Sequence, residues 1–60
     1  MLSMYSKVAA RANIPDLELQ EGQLGEVVGC VGQQVVIRFE GRRTTMTLDQ
    51  EAAARLLDHR

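Results

Sequence analysis

A chain of 60 residues in which seven Lys and Arg meet eight Asp and Glu, for a formal charge of −1, has room for one domain and argues against a general affinity for polyanions. Its single cysteine, Cys30, and single histidine, His59, exclude an internal disulfide and leave a closed zinc site short of ligands, which points to a reducing cytoplasm. No apolar run reaches the ~18 residues of a membrane span, and Met1 to Met4 is too short for a signal-peptide core, so no membrane association is expected.

In chain order, Tyr5 to Asn13 carries two competing periodicities. Met1, Met4, Tyr5, Val8 and Ala12 share a helical face, whereas alternation places Val8, Ala10, Ala12 and Ile14 on one side of a strand and Lys7, Ala9, Arg11 and Asn13 on the other. The strand is preferred, because a chain this short needs every strand to complete a sheet. Pro15 ends it and pushes Ile14 into extended conformation, so Asn13 to Leu24 becomes a long acidic loop whose Leu17, Leu19 and Leu24 fold back onto the core.

The segment Leu19-Gln20-Glu21-Gly22-Gln23-Leu24-Gly25-Glu26-Val27-Val28 runs from loop to strand through two glycines, the residues that permit positive φ or a close backbone approach. A second strand is expected over Glu26 to Val31, with Val27 and Val31 on one face and Val28 and Cys30 on the other. Cys30 reads as a small core hydrophobe. Gly32 and Gln33 form a tight hairpin, and Gln34 to Glu40 alternates Val35, Ile37 and Phe39 against Val36, Arg38 and Glu40. After a turn at Glu40-Gly41, Arg43 to Leu48 is a threonine-rich strand with Met46 and Leu48 on its buried face. Thr47 or Asp49 caps a helix through Leu57 whose Ala52, Ala53, Leu56 and Leu57 cover the open end of the barrel; alternatively one helical turn precedes a last strand over Arg55 to Asp58.

Four to five short antiparallel strands, a long first loop and a short C-terminal helix describe a mainly β, SH3-like barrel occupying residues 1–60 as one domain. On Val8-Ala9, Ile14-Pro15, the Leu19 to Val28 segment, Val35 to Phe39 and Thr45 to Leu48, the chain resembles a family of small bacterial SH3-like proteins of unknown function. Glu26 stands where that family usually has threonine. The G-x-x-G-x-V-V core is also similar to that of KOW-type barrels in ribosomal and transcription proteins. The resemblance implies a fold and a bacterial or archaeal setting, and transfers no activity and no functional residue.

Candidate chemistry is sparse. Ser3 and Ser6 lack a neighbouring base, His59 is expected to be solvated, and Gly22-x-x-Gly25 is followed by neither Lys-Ser/Thr nor a helix, so no phosphate loop forms. No catalytic residue, cofactor or metal is expected. With only Tyr5 and Phe39 as aromatics, an aromatic trench for proline-rich peptides, a methyl-lysine cage and a base-stacking platform are all excluded. The remaining features suit contact with another protein: the acidic loop with Asp16, Glu18 and Glu21, a basic rim of Arg38, Arg42 and Arg43, and exposed strand edges. The expectation is an interaction module, as accessory subunit, antidote-type protein or homo-oligomer. The alternative is a nucleic-acid or ribosome-associated barrel using the three arginines.

Overall fold

A computed structural model describes residues 2–60. Five strands, β1 (Lys7–Ala10), β2 (Leu24–Val31), β3 (Gln34–Phe39), β4 (Met46–Asp49) and β5 (Leu57–His59), form one antiparallel sheet in the order β4-β3-β2-β1-β5. The sheet curls into a half-barrel of SH3-like layout. The helix α1 (Gln50–Leu56) bridges its two edge strands and packs against β3, β4 and β5.

The inward positions are those that alternation selects. Val8, Val27, Val35, Ile37 and Phe39 are fully buried or nearly so, joined by Ala10 from β1, Leu19 from the long loop, Ala53 from α1 and Leu57 from β5. Each large aliphatic or aromatic side chain so buried stabilises the fold by about 1.5–3 kcal/mol, and only a handful contribute. Both readings of the C-terminal segment hold in part. The helix forms, then Leu57 leaves it and pairs with Ala10, so one residue closes both the helix end and the sheet.

Local chemistry explains the departures from simple alternation. The two-residue hairpin loop puts Gly32, at φ +60°, at the first central position, as a type II′ turn requires. That loop pairs Val31 with Gln34, whereas Val27 pairs with Ile37, and a bulge between Val27 and Gly29 absorbs the extra residue. The bulge reverses the phase of the strand's end, so Val31 leaves the face of Val27 and is 68% exposed. Cys30 is also exposed, contrary to the core reading. It lies two residues before the hairpin glycine, at the free end of the β2–β3 ribbon.

Other boundaries move for equally local reasons. The first strand stops at Ala10, leaving Ala12 exposed, and β2 begins at Leu24, whose side chain is 40% exposed and does not tuck inward. Leu19 and half-buried Leu17 do fold back. They are placed by a 3-10 turn over Pro15–Leu17, clasped by paired backbone hydrogen bonds between Ile14 and Leu19 of 2.9 and 3.1 Å. The fourth strand starts at Met46 instead of Arg43, because only residues 46–49 find partners on β3. Thr47 is held in that ladder opposite Val36, so the Thr47 capping box does not form, and Asp49 takes the N-cap position without a side-chain bond.

Candidate interaction surface

The register of the central strands builds a row of charge on the outer face of the sheet. Lys7 lies opposite Glu26, and Glu26 opposite Arg38. Beyond β5, the Arg60 N–H donates to the Lys7 carbonyl at 2.7 Å and continues the row. Arg60, Lys7, Glu26 and Arg38 therefore stand side by side across four chain segments. Inside the row, the Lys7 ammonium pairs with a Glu26 carboxylate oxygen at 2.7 Å, while Arg38 and Arg60 make no ion pair with any described residue.

Two residues along each strand, the outer face changes character. Ala9 pairs with Leu24, and the Glu40 N–H donates to the Leu24 carbonyl at 2.8 Å, which sets Leu24 and Glu40 beside each other. Between the two rows lies an open groove of about 440 Å³, lined by Lys7, Glu26, Arg38 and Arg60 along the charged row and by Leu24 and Glu40 opposite. Gly25 contributes bare backbone to its floor. That glycine is required from beneath: a Cβ there would lie 2.8 Å from Phe39 Cδ1, because the phenyl ring packs over it from the opposing position on β3.

The expected basic rim divides among different tasks. Arg38 belongs to the groove and Arg43 is exposed in the turn before β4. Arg42 is half-buried and reaches the long loop, donating from Nη1 to the carbonyl oxygens of Glu18 at 3.2 Å and Leu17 at 3.4 Å. Its guanidinium thus satisfies the end of the 3-10 turn, where Glu18 adopts left-handed backbone at φ +56°. Gln23 reinforces the same junction, its Nε2 donating to the Glu40 carbonyl at 3.0 Å.

Asp16, Glu18 and Glu21 are all exposed on the loop. The Glu21 N–H donates to Asn13 Oδ1 at 2.8 Å, which fixes the loop's return without drawing the carboxylates together. Among the described residues, no group of three or more His, Cys, Asp and Glu is arranged to hold a metal ion. Near the start of the described chain, Tyr5 is 70% exposed although its backbone sits at φ +68°, held there by its N–H bond to the Val27 carbonyl at 2.8 Å.

Of the side chains that line the groove, only Arg38 is among the candidates the sequence offers; Lys7, Leu24, Glu26, Glu40 and Arg60 escape that reasoning. Alternation does place Lys7 on the strand face opposite Val8, but its pairing with Glu26 depends on the β1–β2 register. Arg60 enters only because β5 forms. The chain matches no protein-family model, no curated protein and no solved structure.

Proposed function

We propose that this chain is a non-enzymatic protein-interaction module, an accessory or antidote-type subunit that binds a larger protein through the outer face of its sheet. The observation that carries the reading is the groove between the Arg60-Lys7-Glu26-Arg38 row and Leu24, where unpaired cationic groups stand next to exposed apolar surface on rigid strands. A mixed apolar and charged surface on paired strands offers a partner both buried area and orientation. The resemblance to the small bacterial SH3-like proteins supports a bacterial setting for the module and adds no partner.

The test is affinity capture of the tagged chain from its host, with wild type compared with Leu24→Lys and nuclease-treated extract compared with untreated. One stoichiometric, nuclease-resistant protein, lost with Leu24→Lys, is the expected result. Capture of ribosomal or transcription proteins that disappears with nuclease would replace this reading with the nucleic-acid one.

A further inference from the structure

We infer that the groove takes an extended, acidic segment of the partner, with carboxylates at positions i and i+4; the inference rests on the interaction-module reading and specifies its ligand. Lys7 and Glu26 neutralise each other at 2.7 Å, which leaves Arg38 and Arg60 as the uncompensated cations of the charged row. They stand three strand spacings apart, or about 14 Å at ~4.8 Å per spacing, and four residues of extended chain cover about 13 Å. A strand-like peptide laid along the row therefore presents the carboxylates of residues i and i+4 to the two guanidinium groups. Its i+2 side chain, on the same face, meets the Lys7–Glu26 pair and the neighbouring Leu24. Arginine is suited to both contacts, because its planar fork binds a carboxylate bidentately.

The opposite wall sets the limits of what fits. Glu40 stands beside Leu24 and disfavours a second acidic row there, so a ligand with negative charge on both faces is rejected. The two glutamates of the groove equally oppose a continuous phosphate backbone. Phe39, its one lining aromatic, is 2% exposed and offers no ring face for a base. An acidic peptide is favoured over a nucleic acid on both counts.

The experiment is a titration of the isotope-labelled full chain, monitored by amide NMR shifts, with a blocked peptide Thr-Glu-Thr-Val-Thr-Glu-Thr. Controls replace its glutamates with glutamine or set them two residues apart. Binding is expected to shift the amides of Lys7, Glu26, Arg38 and Arg60. Affinity should fall about fivefold for either Arg38→Ala or Arg60→Ala, and fall further as salt rises. The spectrum of each variant reports directly that the fold persists.

Absence of binding at low salt, equal binding of the glutamine peptide, indifference to both arginine variants, or tighter binding of an oligothymidylate would overturn the inference. In any of those cases the capture experiment separates the two levels. A protein still captured by wild type and lost with Leu24→Lys leaves the interaction module standing with a different ligand chemistry, and no such protein removes both.

Discussion

Gly25 offers a sharp test of how this fold is packed. Its φ lies outside the left-handed region, so an alanine there meets no backbone strain, and the whole cost comes from the new methyl group. That methyl would sit 2.8 and 3.0 Å from Cδ1 and Cε1 of Phe39 and 3.1 Å from the Arg38 carbonyl oxygen. The ring cannot retreat freely, because Phe39 is itself 2% exposed and packed into the core. Overpacking of this kind costs about 1–3 kcal/mol, offset by about 0.4–1 kcal/mol from the reduced freedom of the unfolded chain. A net loss of about 1–2 kcal/mol lowers Tm in a domain this small by roughly 5–15 °C. Thermal melts by circular dichroism measure it, with Gly25→Ala repeated in the Phe39→Leu background. The penalty should shrink by about half there, since the ring contact is relieved and the carbonyl contact remains. An unchanged Tm for Gly25→Ala, or a penalty that ignores residue 39, would refute the account of ring packing over glycine.

Arg42→Ala should cost about 1 kcal/mol and speed proteolysis within residues 11–23, because it removes both guanidinium contacts to the 3-10 turn, whereas Arg43→Ala should leave urea midpoints unchanged. Glu18→Gly should stabilise by up to about 1 kcal/mol, since left-handed backbone costs a non-glycine residue ~1–2 kcal/mol and glycine returns part of that through its unfolded-state entropy; a lower urea midpoint would contradict the conformation assigned to the loop. Ile37→Val, which deletes one methylene from a fully buried site, should cost about 1 kcal/mol without changing the denaturant slope. Cys30 should react fully with a thiol reagent such as Ellman's reagent in the folded protein, and protection until denaturation would contradict its exposure.

How legible each feature is in the residues depends on the range over which its signal acts. Alternation on β3 identifies Val35, Ile37 and Phe39 without knowledge of any neighbour, because each choice of face repeats along one strand. The strand reading of Lys7–Ala10 succeeds for a different reason. Its helical competitor would leave Val8 and Ala10 on different faces, and the sheet needs both inside. Val31 fails because a strict period of two holds only while the ladder stays in register, and the bulge at Val28 becomes visible only when the hairpin's two-residue loop is matched against the Val27–Ile37 pair; Cys30, opposite buried Val35, fails because the ribbon's free end carries it past the core. The Pro15–Leu17 turn is hidden because proline announces a break without specifying the conformation of the residues after it.

The candidate site shows the same dependence on register more severely, since its charges come from segments far apart in sequence. Proximity along one hairpin groups Arg38 with Arg42 and Arg43, yet these side chains do different things: Arg38 faces the groove, Arg42 is spent on backbone carbonyls, and Arg43 is exposed. Lys7, Glu26, Arg38 and Arg60 become neighbours only through three strand pairings. A slip of one residue between β1 and β2 would replace Lys7 opposite Glu26 with an apolar or glycine partner and turn the whole of Lys7's strand face inward. The burial of Val8 and Ala10 opposes that slip, because it would carry both to the outer face, while the Phe39 ring against Gly25 holds the register of β2 on β3. The packing inside the half-barrel thus fixes the spacing of charge outside it, so a substitution at Gly25 that leaves a folded protein should also disturb the surface row, through the Arg38 carbonyl oxygen 3.1 Å from the added Cβ and a shift in the amide signals of Glu26 and Arg38.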